Sequence, residues 1–362
     1  MKILLVKLSS LGDILHNLPV VWDIRAKYPD AQIDWAVEEA YVDLLEPLRM
    51  CVPLRGVDNI IAVCLRRLKK RLWQREDIDA FMRSRRRLRA IAYDLVIETQ
   101  GLIKSAAIGR LARLATGGVI VGPGNKVEHA AYEAMTRWFY TNAVRVPRQC
   151  HAVDLARYIA ASAIGTPPPD RSVSPPRFYP EALIERLLGA GDEVPALLKP
   201  FSQAMMGRPY ALCIHATAGP KKTWARESWV ALGRELARQG IVAAFPWGTA
   251  SEKLVSESLA GAIPHALVVP KFSLQEAFAL SVNAKLTIGV DTGLTHLSAV
   301  LGRPTIELFC APPRTRFEGY WSPNVVALGD AGKPPSVEEV LTRAMQMARL
   351  VEFSDVFMAQ TT

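Results

Sequence analysis

Short apolar runs alternate with segments of helical spacing along most of the chain. Residues 2–8 form a continuous apolar run after the start, typical of a buried strand, and a loop and a helical segment follow before the next apolar run. The same order returns at residues 93–98 and starts again after residue 209. Strands that alternate with helices predict an α/β fold with parallel sheets covered on both faces.

A proline-rich stretch divides this pattern. Proline at the density found in residues 165–209 breaks helices and central strands, so we place an interdomain connection there. The expected architecture is two Rossmann-like, doubly wound domains that face each other across a cleft. Its predicted parts are residues 1–175, residues 176–335, and a C-terminal helix and tail over 336–362. Whether that helix returns to the N-terminal domain is left open.

Composition narrows the class of protein. Hydrophobic residues make up 50% and charged residues 22% of the 362 residues, as in ordinary globular proteins, and the length fits two domains. The five cysteines are scattered without a C-x-x-C pair, so neither a disulfide framework nor a zinc site is indicated. No apolar stretch approaches the roughly 20 residues that span a bilayer. We therefore expect a soluble cytoplasmic protein that can still contact a membrane surface.

The positive charge is concentrated in one segment. The net charge is +9, and residues 66–89 carry eleven lysines and arginines against three acidic residues, a local balance of +8. Such a segment is either a solvated helical face or a patch for a polyanion such as a phosphorylated lipid, an acidic sugar or nucleic acid. Because it holds only two aromatic residues, Trp73 and Phe81, and no nucleic-acid motif, we expect no nucleic-acid partner.

In doubly wound sheets, ligands bind at the carboxyl ends of the strands, so the loops after the strands are the candidate sites. The first is Ser9-Ser10-Leu11-Gly12-Asp13. Asp13 there either caps the following helix or faces a ligand. The loop lacks G-x-G-x-x-G, so a dinucleotide site is not predicted.

Three loops of the second half carry polar groups. Residues 215–224 contain glycine, threonine and two lysines, a composition that suits a diphosphate but also an ordinary exposed loop. Residues 289–296 lead from a predicted strand into a helix whose free N–H groups favour an anion, a place where Asp291 or Thr292 can also cap the helix. Glu252 is either a ribose ligand or a simple first-turn acid.

A metal site is not predicted. Asp77-Ile78-Asp79 fits the D-x-D string of metal-dependent sugar transferases, but it lies inside the basic helical segment, and we interpret both acids as surface charge. The six histidines have no ligand spacing on one helix.

Five blocks in this order, KLSSLGDILHNLP, ETQGLIKSA, HATAGPKKTW, FPWGTASEK and VDTGLTHLSA, resemble the lipopolysaccharide heptosyltransferase I family. The resemblance implies a GT-B fold and an inverting, metal-independent transfer of heptose from ADP-heptose to the Kdo of Kdo₂-lipid A. It implies no cofactor, a donor site in the C-terminal half, an acceptor site in the N-terminal half, and a place at the cytoplasmic face of the inner membrane. We expect a monomer.

The resemblance also assigns roles position by position. Asp13 matches the catalytic base, and Lys222 matches the lysine that stabilises the departing diphosphate. The other implied donor residues are Thr217, Glu252, Phe272, Asp291, Thr292, Gly293, Leu294 and His296. The implied acceptor residues are Ser10, Gly12, Arg66, Arg67 and Lys70. The chain departs from the family pattern at residues 75–89 and 126–140.

Two other activities stay open. One is transfer by a related enzyme, which adds the second heptose or uses another nucleotide sugar. The other is epimerisation of a nucleotide sugar by an enzyme of similar twin-sheet fold, which would need no acceptor.

Overall fold

The structure is a computed structural model, and it divides the chain into two compact units, Met1–Leu183 and Ile184–Thr362. The residues it describes are 1–49, 55–70, 74–173, 175–189, 198–205, 207–217 and 219–359. Each of the two predicted sheets lies inside one unit.

The first unit is built on a six-stranded parallel sheet of order β3-β2-β1-β4-β5-β6. Its strands are β1 Lys2–Val6, β2 Gln32–Glu38, β3 Asn59–Val63, β4 Ala92–Glu98, β5 Arg113–Pro123 and β6 Asn142–Val144. Its helices are α1 Leu11–Asn17, α2 Pro19–Lys27, α3 Val42–Arg49, α4 Leu65–Lys70, α5 Arg75–Ala90, α6 Ile103–Leu111 and α7 Ala152–Ile164, with short 3₁₀ helices at Glu39–Tyr41 and Ala134–Phe139. Helix α8, Glu181–Gly189, contains the boundary between the units.

The second unit repeats this plan with a parallel sheet of order β12-β11-β10-β7-β8-β9. Its strands are β7 Tyr210–Ile214, β8 Val242–Phe245, β9 Leu267–Val268, β10 Leu286–Val290, β11 Thr305–Phe309 and β12 Val325–Gly329. Its helices are α9 Leu198–Met205, α10 Arg226–Arg238, α11 Ala250–Ala260, α12 Leu274–Asn283, α13 Gly293–Val300 and α14 Val337–Ala359, with 3₁₀ helices at Pro220–Lys222 and Arg314–Arg316.

The strand order is the same in both sheets when counted from the first strand of each unit, and it reverses in the middle. In the first sheet β1 lies beside β4, and in the second β7 lies beside β10. Both pairs are parallel, so the loops that leave them start at the same edge of the sheet. This arrangement confirms the predicted doubly wound α/β halves and fixes two switch points where ligands bind in such folds.

The central strands are buried because helices cover both faces of each sheet. Every residue of β10 is buried, and Ile3 to Val6 of β1 are fully enclosed, which explains why these strands appear as unbroken apolar runs in the sequence. Val340 and Ala344 of α14 belong to the core of the second unit. The start of α14 carries a capping box, in which Glu339 accepts the backbone N–H of Ser336.

A buried glutamate closes the carboxyl end of β4. Glu98 is fully enclosed, and its carboxylate accepts the N–H groups of Gln100 at 2.7 Å and Gly101 at 3.0 Å as well as the hydroxyl of Tyr140. Burial raises the pKa of Glu98. The Tyr140 ring lies directly against Gly122, where a Cβ atom would come within 2.3 Å of the ring. A glycine at position 122 therefore makes room for the ring that braces the loop after β4.

We expect Gly122→Ala to lower the free energy of unfolding by about 1 to 3 kcal/mol, because the new methyl group displaces the Tyr140 ring and its hydroxyl from Glu98. Urea unfolding followed by circular dichroism measures the change. The control is Gly109→Ala in α6, where the added Cβ meets Val96 at an ordinary 3.4 Å and the better helix former raises stability by about 0.5 to 1 kcal/mol. Equal stability of Gly122→Ala and the wild type would contradict this account.

Candidate active site

The loop between β1 and α1 presents Asp13 at the switch point of the first unit. Its Oδ2 atom accepts the backbone N–H of Ser10 at 2.9 Å and the hydroxyl of Ser10 at 2.8 Å. Both bonds use the same oxygen, and the residue is exposed. Gly12 lies between the two residues in the first turn of α1. The helix-capping role of Asp13 is thus part of the structure, while its role as a base stays a prediction.

The loop after β4 holds the Asp13 loop in place. The side-chain oxygen of Gln100 accepts the N–H of Leu8 at 2.8 Å, and its amide nitrogen lies 3.4 Å from the hydroxyl of Ser9. The ammonium group of Lys104 lies 3.3 Å from the same hydroxyl. Sequence reasoning did not single out Gln100 or Lys104, although the block ETQGLIKSA follows a predicted strand and was the available signal.

Arg66 begins the basic segment after β3. Its backbone N–H lies 3.2 Å from the carboxylate of Glu38, a residue whose pKa is raised by burial. Its guanidinium donates to the hydroxyl of Tyr41 at 2.7 Å and lies 5.1 Å from the centre of that ring. The side chain is exposed and forms no ion pair with an acid among the described residues. A basic group therefore faces solvent at this edge of the sheet, as the acceptor assignment requires.

Arg67 has a different environment. Its guanidinium lies 2.6 Å from the carboxylate of Asp77 and 3.3 Å from that of Glu39. The prediction that Asp77 is surface charge is wrong: the residue is 1% exposed, because α5 turns this position towards α4. Asp79 is exposed. The acceptor role of Arg67 stays a prediction, and the side chain of Lys70 lies outside the described residues.

Lys222, Thr217 and Asp291 meet at the switch point of the second unit. The ammonium group of Lys222 lies 2.5 Å from Oδ2 of Asp291, and the hydroxyl of Thr217 donates to the backbone carbonyl of Asp291 at 3.3 Å. The loop after β7 and the loop after β10 are thus joined, as expected for neighbouring parallel strands. Asp291 is buried, whereas the side chain of Lys222 is 37% exposed.

His296 lies between two carboxylates. Its Nε2 atom is 3.0 Å from Oδ1 of Asp291, and its Nδ1 atom is 3.1 Å from Oε1 of Glu307 on β11. Burial opposes the charged imidazole, but the hydrogen bonds and charges of the two acids outweigh it and raise the pKa of His296 to about 10. Burial likewise opposes the charged form of Asp291, yet His296 and Lys222 lower its pKa overall. Sequence reasoning missed Glu307, whose only signal is an acid inside an apolar run.

Helix α13 starts immediately after these residues, with Thr292 as its N-cap and Gly293 and Leu294 in its first turn. Thr295 donates its hydroxyl to the backbone carbonyl of Val290 at 2.8 Å, which ties the helix to the end of β10. A Cβ atom on Gly289 would lie 2.1 Å from that hydroxyl oxygen, so a glycine is needed for the close approach. The amino end of the helix, with its unpaired N–H groups and positive dipole, is held beside Lys222 and Asp291.

Glu252 follows β8 and Phe272 follows β9, the two strands that lie on the side of β7 away from β10. The carboxylate of Glu252 accepts the N–H groups of Gly248 at 2.7 Å and Thr249 at 2.8 Å, so it caps α11. Phe272 is half-buried against the core beneath β7 and β8. Lys271 donates to the carbonyl of Gly248 at 2.6 Å and thereby joins the two loops. Ribose and adenine contacts at these positions stay predictions.

Among the described residues, no group of three histidine, cysteine, aspartate or glutamate side chains is placed to hold a metal ion. In the same part of the chain, no helix combines the length and the apolar character needed to cross a membrane.

The comparisons with known proteins agree on one family. Residues 81–345 match the model of glycosyltransferase family 9 (heptosyltransferase). Lipopolysaccharide heptosyltransferase 1 of Pseudomonas aeruginosa is 32% identical over 91% of this chain and 84% of its own length. The Salmonella typhimurium enzyme of the same name is 33% identical over 85% and 88%.

A solved structure gives the same answer. The E. coli heptosyltransferase WaaC with ADP superposes with a TM-score of 0.77 at 29% identity, covering 96% of this chain and all of that one. The predicted GT-B fold is therefore confirmed, and with it the class of enzyme. The chain belongs to glycosyltransferase family 9, the heptosyltransferases, and is a glycosyltransferase.

Proposed function

We propose that this enzyme transfers L-glycero-D-manno-heptose from ADP-heptose to the Kdo of Kdo₂-lipid A during synthesis of the lipopolysaccharide inner core. The observation that carries the proposal is the cluster of Lys222, Asp291 and the start of α13 at the switch point of the second unit. This cluster has the features of a diphosphate site, and it lies in a chain that is 32–33% identical to first heptosyltransferases.

The donor is held through its diphosphate. A half-exposed ammonium group and the N–H groups at the amino end of a helix are the groups that bind phosphate oxygens in proteins without a metal. Thr217 adds a hydroxyl from the neighbouring strand. Glu252 and Phe272, on the two loops joined by Lys271, would hold the ribose and adenine. The structure of the E. coli relative WaaC was solved with ADP, which supports ADP as the nucleotide of the donor.

The acceptor binds the first unit. Kdo₂-lipid A carries carboxylates and phosphates, which match the exposed guanidinium of Arg66 and the ammonium group of Lys104. Ser10 and Gly12 shape the loop around Asp13, and the proposal includes Arg67 and Lys70 of the same basic segment as further acceptor ligands. Because the acceptor is anchored in a membrane, the proposal places the enzyme at the cytoplasmic face of the inner membrane, in peripheral contact with its anionic surface. We expect it to act there as a monomer.

The reaction is an inverting displacement. The acceptor hydroxyl attacks the anomeric carbon opposite the diphosphate, the new glycosidic bond forms as the bond from carbon to phosphate oxygen breaks, and Asp13 takes the hydroxyl proton. Oδ2 of Asp13 already accepts two hydrogen bonds from Ser10, so Oδ1 is the oxygen that receives the proton. Lys222 and the start of α13 stabilise the negative charge that develops on the departing ADP.

Two alternatives have less support. Transfer of the second heptose would require another acceptor, whereas the relatives that are more than 30% identical bear the name of the first enzyme. Epimerisation would proceed without any acceptor and would give no role to the basic segment.

Incubation of the enzyme with ADP-heptose and Kdo₂-lipid A tests the proposal directly. We expect mass spectrometry to show a gain of one heptose on the acceptor, at the same rate with and without EDTA, because Lys222 and the α13 start replace a metal. No gain would refute the proposed reaction, and a strict need for added Mn²⁺ or Mg²⁺ would refute the metal-free mechanism.

Asp13→Asn should lower kcat by about 10²- to 10⁴-fold, because the amide cannot take the hydroxyl proton. Its affinity for ADP, measured by calorimetry, should stay that of the wild type. The matched control is Asp43→Asn, which changes a first-turn acid of α3 and should keep full activity. Loss of ADP binding in Asp13→Asn, or retention of transfer, would contradict the assignment of the base.

Lys222→Met should weaken ADP binding about tenfold or more and lower kcat by about 10²- to 10³-fold. The substitution removes one positive charge and leaves the carboxylate of Asp291 facing the diphosphate. Lys221→Met is the control, because Lys221 occupies the same 3₁₀ helix but is exposed. Equal effects of the two substitutions would show that only the overall charge of the loop matters.

A further inference from the structure

Glu307 is a buried acid that takes no part in the proposed reaction. It lies in the middle of β11 and is fully enclosed. One of its oxygens lies 3.1 Å from Nδ1 of His296, and the other accepts the backbone N–H of Gly319 at 2.7 Å. An enclosed carboxylate is costly unless it is paired, so these two contacts are what stabilise it there.

From Glu307 an unbroken series of contacts leads to the diphosphate site. The opposite ring nitrogen of His296 lies 3.0 Å from Oδ1 of Asp291, and Oδ2 of Asp291 lies 2.5 Å from the ammonium group of Lys222. Each carboxylate uses one oxygen for each partner. Only Lys222, at the end of the series, is substantially exposed.

We propose that Glu307 is a positioning residue for the diphosphate site: by fixing the ring of His296 it fixes Asp291, and through Asp291 it places the ammonium group of Lys222. The inference rests on the proposed function of Lys222 as a diphosphate ligand. A histidine bonded at only one nitrogen can turn about its side-chain bonds, whereas acceptors at both nitrogens fix its orientation and keep both nitrogens protonated.

The charges of the series balance. Two carboxylates oppose one imidazolium and one ammonium group, so the series is neutral while His296 is charged. The titratable groups that face His296 are Asp291 at the end of β10 and Glu307 on β11. Helix α12, which also packs against α13, has Glu276 as its one charged residue, and that side chain caps the helix at Ser273. The two facing acids hold the pKa of His296 at about 10, so the series stays neutral across the physiological range.

Replacement of Glu307 by glutamine keeps the size of the side chain and the acceptor for Gly319 but removes one negative charge. The pKa of His296 then falls towards its ordinary value of about 6.5. As the pH rises, the variant loses a positive charge close to the bound diphosphate, which the wild type does not lose. A purely structural role of Glu307 would weaken binding equally at every pH.

The test is the affinity of the full-length enzyme for ADP, measured by calorimetry at pH values from about 6 to 9 in the wild type and in Glu307→Gln. ADP itself titrates in the same way in both measurements, so its contribution cancels in the ratio of the two dissociation constants. We expect that ratio to rise about three- to tenfold across this range. The control Glu318→Gln removes an acid of the adjacent loop, which lies 3.8 Å from Arg314, and its ratio should stay constant.

Nitrogen NMR of the imidazoles supplies a second measurement, and its wild-type part does not depend on how well Glu307→Gln folds. The His296 ring, assigned by comparison with His296→Gln, should remain an imidazolium up to about pH 9 in the wild type and should titrate within the range in Glu307→Gln. A constant ratio of dissociation constants, or a wild-type His296 that titrates near 6.5, would overturn the inference. Failure of the wild type to bind ADP at any pH would instead refute the proposed function.

Discussion

The reversal of strand order in the middle of each sheet is the constraint on which the two candidate sites depend. Parallel strands send all their carboxyl ends to one edge, and at the reversal the connections from two neighbouring strands leave in opposite directions. In the first unit this places Gln100 beside the Asp13 loop. In the second it places Thr217 and Lys222 beside Asp291. The same topology thus supports a carboxylate that faces solvent in one unit and a cation paired with a buried carboxylate in the other.

Helix capping and ligand binding are not competing roles at these edges. Asp13 and Glu252 each accept N–H groups at the start of a helix, as the simplest interpretation of their sequence positions predicts. A carboxylate has two oxygens and about four acceptor sites, so a cap does not exhaust it. The N3 position of a helix that follows a strand is therefore a place where an acid stabilises its own helix and remains available to a substrate.

The sequence predicts the fold better than it predicts the contacts inside the site. Buried parallel strands are unbroken apolar runs, so the strands can be recognised in the sequence. Because ligands bind at the carboxyl ends of such strands, the loops of Asp13, Lys222 and Asp291 could be located as candidate sites. The pairing of His296 with Glu307 depends on β10 lying beside β11, and no local pattern encodes that neighbour. The burial of Asp77 likewise depends on which side of α5 meets α4, a tertiary fact that made a surface assignment wrong.

The double hydrogen bond from Ser10 to a single oxygen of Asp13 has a consequence for the entropy of the reaction. A free aspartate samples several side-chain rotamers, and selecting one of them when the acceptor arrives would cost binding energy. In this loop the side-chain rotamer of Asp13 is fixed when α1 folds, so the second oxygen points in one direction before any substrate is present. The ordering of the proposed base becomes part of the free energy of folding, and the proposed acceptor encounters a group that is already oriented.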